Sequence, residues 1–212
     1  MPVLIREQKQ LAMTLKCIEL ARSKTKLPFQ LIIVETESNY LTDYADIHIY
    51  EKERVNPAKS HNRGWKIADG EYIVLLTNDV YVEEGWLGHL LSCFKIPDCG
   101  ASTLATTQFL HQKEDKIEEG NWWSLMMTTR KIFDEVGYYD ERFMAAFEDS
   151  DLLLRMYEKG YKMYRNFNCV VEHLIGATLY NEPKHNEKYV YGRKLFNEKH
   201  KDCKLDLFQR LK

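Results

Sequence analysis

The stretch LLTNDVYVEEGW, residues 75–86, decides how this chain is read. The apolar run YIVLL leads straight into Thr77, Asn78 and Asp79, and a helix-like segment with Trp86 follows. Asn-Asp suits a turn or a helix cap. It equally suits the end of a buried strand that delivers a carboxylate to a cleft. The sequence on either side has to choose.

Upstream, strands and helices alternate. VLI (3–5) reads as a short strand, and QKQLAMTLKCIELARS puts Leu11, Leu15 and Ile18 on one helical face. FQLIIVE (29–35) is continuous, β-branched and short, the signature of a strand buried on both sides. DIHIY (46–50) is a third strand; Pro57 opens a helix that Gly70 closes, and EYIVLL (71–76) is a fourth strand. The predicted fold is α/β: a mostly parallel central sheet with helices on both faces. Ligands on such sheets bind beyond the carboxyl ends of the strands, which is where Glu35 and Asp79 fall. The chain is read as one domain over 1–212, with a nucleotide-binding half at about 1–100 and an acceptor-binding and catalytic half at about 101–212.

The second half carries its own chemistry. NWWSLMMTTRKIFDEVG holds a strand and then a helix ended by Gly137. Only one of Trp122 and Trp123 can face inward from a strand, which leaves the other for a sugar face. FEDSDLLLRMYEKG is a helix with Glu148, Asp149 and Asp151 in its first turn. One acid there is an ordinary cap. Three repel one another, and such clusters occur beside a cation or where one carboxyl must hold its proton. KMYRNFNCVVEH is a strand that ends at His173, either a packed histidine or a group facing the cleft.

Composition narrows the classes. The 212 residues are 44% hydrophobic and carry a net charge of −2, which supports a real core and gives no footprint for nucleic acid or an anionic membrane. No apolar run reaches about 18 residues, so no membrane span is expected. MPVLIREQKQLAM meets charge too early for a signal peptide. Five scattered cysteines without a C-x-x-C pair suit reduced thiols in a cytoplasmic protein. The charged end KHKDCKLDLFQRLK reads as a domain edge leading to further chain. Neither a G-x-G-x-x-G nor a Walker loop is present, so a phosphate would rely on a metal.

With these residues in hand, the sequence resembles family-two glycosyltransferases of the GT-A fold. The likeness rests on IIVETES (32–38), HNRGWKIADGEYIVLLTNDV (61–80), GWL (85–87), MMTTRKIFDEVGYYDERF (126–143), FEDSDLLLRMYEKGYK (147–162) and VVEHLIGAT (170–178), in the family's order over most of the chain. The resemblance implies inverting transfer of a sugar from a nucleotide-sugar to a hydroxyl of a glycan or glycoprotein, assisted by Mn2+ or Mg2+. It implies Asp149 as the catalytic base. Glu148, Asp151, Trp122, Trp123 and Arg130 are read as acceptor-binding or supporting residues, with Glu148 and Asp151 either positioning the acceptor or holding Asp149 through the local field. Asp79 matches the last acid of the family's D-x-D-type metal motif. Thr77 stands where the first acid belongs, so a metal would rest on Asp79, the diphosphate, water and His173. Glu35 matches an acid that receives the N3–H of uracil, which implies a UDP-sugar. Arg6, Lys59, Asn62, Arg63, Thr77 and Asn78 fall along the nucleotide. A fainter resemblance, to the leading domain of multi-domain glycosyltransferases of large algal viruses, implies further domains and the host cytoplasm.

Two other classes compete. A sugar-1-phosphate nucleotidyltransferase would need a Gly-rich basic loop after the first strand, and REQKQLAM has no glycine. A non-catalytic carbohydrate-binding domain would not need Asp79, Asp149 and His173 together.

Overall fold

Continuous apolar strands need cover on both faces, and the chain supplies it. The computed structural model describes residues 1–107, 113–120, 125–144, 146–174 and 185–203. Strand β1 (Pro2–Leu4) leads to α1 (Gln8–Ser23), β2 (Ile32–Thr36), β3 (Ile47–Glu51) and α2 (Pro57–Ile67). Then come β4 (Tyr72–Leu76), β5 (Val80–Tyr81), α3 (Trp86–Cys93), β6 (Cys99–Thr106), β7 (Ile117–Glu119) and β8 (Leu125–Thr129). Helices α4 (Arg130–Val136) and α5 (Glu148–Glu158), strand β9 (Lys162–His173) and helix α6 (His185–Lys199) complete the order.

The parallel expectation holds in the first half, where β1, β2 and β3 pair in parallel. The second half is mixed. Its order is β4-β8-β6-β9-β5, with β7 also on β9. There β6 and β9 are parallel, while β4–β8, β6–β8, β5–β9 and β7–β9 are antiparallel. Short connections such as the one from β8 into α4 were legible, but the direction of pairing was not. The two sheets do not join by a ladder among the described residues. A cavity of about 410 Å³ lies between them, lined by Met1, Pro2, Ile32 and Val34 on one side and Tyr72–Leu76 on the other.

Alternation along β4 sets the two cores. Ile73 and Leu75 join Trp65 of α2, Phe133 of α4 and Leu152 and Met156 of α5. Leu76 turns the other way, to Cys17 of α1 and to Trp86 and Leu90 of α3. Helices thus cover both faces, as the continuous apolar strand requires. Asn56 caps α2 by accepting from the Lys59 N–H at 2.8 Å, with Pro57 at the first helical position. That helix ends at Ile67 with Ala68 as its cap, not at Gly70. Gly137, at φ 80°, closes α4 as expected.

Candidate active site

Strands β4, β6 and β9 run the same way, because β8 is antiparallel to both β4 and β6, and β6 is parallel to β9. The ends of β4 and β9 therefore share one edge. Thr77–Val80 is a turn at that edge: the Val80 N–H donates to the Thr77 carbonyl at 3.3 Å. The turn reading of Asn-Asp therefore holds, and the turn sits at a strand end. Val80 then pairs with His173 across β5 and β9, and the Leu174 N–H donates to the Asp79 carbonyl at 2.9 Å. The outcome is His173 Nε2 3.4 Å from Asp79 Oδ2, with Asp79 only 7% exposed.

An imidazole nitrogen and a carboxylate oxygen at that spacing form a donor pair that suits Mn2+ and similar ions. The fit is partial. Among the described residues no third histidine, cysteine or acid joins them. A divalent ion held here would take its other ligands from outside the described residues.

Helix α5 returns from the same edge toward the start of β9. Phe147, its N-cap, sits at φ 72°, a backbone region that costs a bulky residue energy and persists only when surroundings hold it. Phe196 and Tyr189 of α6 pack on its ring. Glu148 and Asp149 follow. Asp149 Oδ1 accepts from the Ser150 N–H at 2.7 Å, while Glu148 Oε2 has no hydrogen-bond partner among the described residues. Burial pushes both carboxyls up, and the Asp149 charge drives Glu148 further, to about 8.

Other expected site residues are committed to internal bonds. Glu35 is fully buried. Its Oε1 accepts from Ser38 Oγ at 2.7 Å and the Tyr40 N–H at 2.9 Å; its Oε2 accepts from the Leu41 N–H at 3.0 Å and pairs with His48 Nε2 at 3.0 Å. Four partners fill its acceptor positions and leave none for a uracil N–H. Despite burial, these donors hold its pKa below the usual glutamate value. Asn62 is spent on the loop after α4, donating to the Tyr139 carbonyl at 2.8 Å and accepting from its N–H at 3.0 Å. Asn78 donates to Thr14 Oγ1 at 2.9 Å. Arg130 follows β8, whose last residue Thr129 faces Tyr72 at the start of β4; it therefore lies at the opposite edge, donating to the Ala68 carbonyl.

Asp151 is the largest correction. It is fully buried, its Oδ2 accepting from Arg155 Nε at 3.0 Å, its Oδ1 facing Lys199 Nζ at 2.7 Å and His200 Nε2 at 2.8 Å. It docks α6 rather than an acceptor. Arg6 pairs with Glu37 at 3.0 Å just past the ends of β1 and β2, and Arg63 pairs with Glu51, the last residue of β3. Lys59 lies in the first turn of α2 and Thr77 is half-buried in its turn. Trp122 and Trp123 lie outside the described residues. Sequence reasoning missed α6 altogether, because its apolar residues show no clean helical stripe, and the signal available was only the Tyr189…Phe196 spacing.

Two solved glycosyltransferases share this architecture. GalNAc-T7, solved with UDP, GalNAc and Mn2+, superposes with a TM-score of 0.67 at 12% identity, over 81% of this chain and 43% of that one. The mannosyltransferase PcManGT from Pyrobaculum calidifontis, in complex with GDP-Man and Mn2+, gives 0.64 at 15% identity, over 84% of this chain and 57% of that one. At such identities the likeness establishes the fold, and this chain spans only about half the length of either protein. The chain belongs to glycosyl transferase family 2, whose family model matches residues 3–147. No curated protein sequence matches it. Nothing in these comparisons bears on the fainter viral resemblance. Among the described residues, no helix is long and apolar enough to cross a membrane.

Proposed function

We propose that this chain transfers a sugar from a nucleoside-diphosphate sugar to a hydroxyl of a glycan or glycoprotein, with inversion. The observation that carries the reading is the Asp79–His173 pair at the edge where β4 and β9 end, together with the half-buried Glu148–Asp149 pair in the first turn of α5. Asp149 accepts the acceptor O–H proton as that oxygen bonds to the anomeric carbon. The bond from that carbon to the diphosphate oxygen breaks on the opposite face, and one displacement gives inversion. Asp79 and His173 would hold Mn2+ or Mg2+, which when bound neutralises charge on the leaving diphosphate. Glu148, whose carboxyl burial and the Asp149 charge push up to about 8, is assigned a proton to donate to an acceptor hydroxyl, with Asp149 as the base.

Arg6, Arg63 and Lys59, near the ends of β1 and β3, are proposed to line the nucleotide. Glu35 drops out of that set, and the UDP preference loses the residue that motivated it. GalNAc-T7 and PcManGT were solved with UDP and GDP-Man respectively, so the base is left to experiment. The five cysteines, none of them in a disulfide, support a cytoplasmic setting. Further domains of a longer protein fit the fraction of each relative that the chain covers.

A panel of UDP-, GDP- and CDP-sugars with Mn2+, followed by release of free nucleotide with and without sugar acceptors, tests the function. Turnover of one donor that is lost in Asp149→Asn is the expected result. Turnover retained in that variant overturns the assignment of the base. No turnover of any donor overturns the transferase reading.

A further inference from the structure

Helix α1 reaches the turn that carries Asp79 through polar side chains on its inner face. Thr14 and Cys17, three residues apart, are both fully buried. Thr14 Oγ1 donates to the Gln10 carbonyl at 2.8 Å and accepts from Asn78 Nδ2 at 2.9 Å. Cys17 Sγ lies 3.5 Å from the Thr77 carbonyl and 3.1 Å from the Val80 carbonyl, close enough to donate its S–H to either. Residues 77, 78 and 80 are thus each held by a hydrogen-bonding contact from α1, and Asp79 lies between them. On the other side, β9 holds the same turn through Leu174 and presents His173.

We infer that Thr14 and Cys17 are positioning residues for the metal pair: they lock the turn so that the Asp79 carboxylate stays within reach of His173. This rests on the proposed role of Asp79 in holding the ion. With one carboxylate where the family's motif has two, the described residues offer a single anionic ligand at this turn, and a loosely held turn would spread it over many positions. Preorganisation by groups outside the ligand sphere is how such pairs keep affinity, and losing it typically costs about tenfold or more in metal binding. A threonine and a cysteine suit this role because both are small enough to be buried between a helix and a turn, and each offers the turn one hydrogen-bonding group.

Mn2+ titration followed by electron paramagnetic resonance, with the protein alone and with UDP added, reads this without any turnover. In Thr14→Val/Cys17→Ala, with far-UV dichroism unchanged, Mn2+ binding should weaken by about tenfold. The single variants Cys17→Ala and Thr14→Val should each weaken it by less, and they keep the test available if the double variant does not fold. Thr14→Ser keeps the hydroxyl and Cys17→Ser puts a hydroxyl donor in place of the thiol, so both should hold most of the affinity, which a loss of packing alone would not predict. Folded Thr14→Val and Cys17→Ala variants that bind Mn2+ like the wild type, while Asp79→Asn loses it, overturn the positioning role and leave the metal reading standing. Wild-type Mn2+ binding in Asp79→Asn overturns both.

Discussion

His200 Nε2 lies 2.8 Å from Asp151 Oδ1, and that contact ties the last described segment to the helix that begins with Glu148 and Asp149. Lys199 joins it at 2.7 Å and bridges to Asp140 at 2.9 Å. Next to these charges, α6 comes so close to residue 146 that a Cβ on Gly192 would stand 2.7 Å from the Ala146 carbonyl oxygen. A helix that the sequence concealed therefore supports Phe147 in its unusual conformation and, through it, the first turn of α5.

Removing Asp151 leaves Arg155 and His200 without their carboxylate and Lys199 with Asp140 alone. Breaking a buried ion pair by deleting one partner costs about 3–5 kcal/mol. Asp151→Ala should lose stability on that scale in urea unfolding, and Gly192→Ala should also lose stability as α6 is pushed off Ala146. A change under about 0.5 kcal/mol in Asp151→Ala, the size of an ordinary surface substitution, would mean that α6 does not dock through this carboxylate.

Glu35 gives a prediction in pH. Its pKa is lowered on folding, so it contributes stability that is present above the usual glutamate value and is lost as pH falls through the folded value. At neutral pH Glu35→Gln should cost at least about 1.5–3 kcal/mol, the worth of one charge-assisted hydrogen bond. The gap between wild type and variant should narrow on acidification below the usual glutamate range. Competition binding with UDP, GDP and CDP should give the same ranking in both proteins. A lost preference in Glu35→Gln would return this residue to the nucleotide.

The acid pair behaves in the opposite sense. A carboxyl whose pKa rises on folding lends stability fully present below its ordinary value and lost as pH climbs through the folded one. For Glu148 that window runs from 4.5 to about 8. Thermal unfolding of wild type should therefore weaken across this range, and Glu148→Gln should flatten the slope. Because Glu148 holds the proton, Glu148→Gln should keep most of the neutral-pH turnover, whereas Asp149→Asn should lose about 10²–10⁴-fold. Equal losses in the two variants would contradict this division of labour.

Asp79 and His173 can be separated by the same reasoning. Asp79→Ala removes the charge and one ligand, and His173→Ala removes a neutral ligand, so Mn2+-dependent donor binding should fall more in the first. Calorimetry with UDP and GDP, with and without Mn2+, checks the order. Unchanged metal dependence in both would move the site elsewhere.

The alternation of apolar strands with helices, the turn at Thr77–Val80, the capped start of α2 and the glycine stop of α4 were all legible, because each depends on local periodicity or on one residue's backbone preference. So were the residues that stand apart from any core pattern: Asp79, Glu148, Asp149 and His173 each sit where a strand ends or a helix begins. What each polar residue does was decided by tertiary structure. Glu35 and Asp79 read alike in sequence, both acids at the end of a buried strand. One is closed off by Ser38, Tyr40, Leu41 and His48; the other meets His173, far along the chain, at 3.4 Å. Asp151 shares its cluster with Asp149 but, two residues on, the helical turn carries it inward to Lys199 and His200. A carboxylate's role is fixed by which donors reach it through space, and neither period nor propensity encodes a distance between residues far apart in the chain.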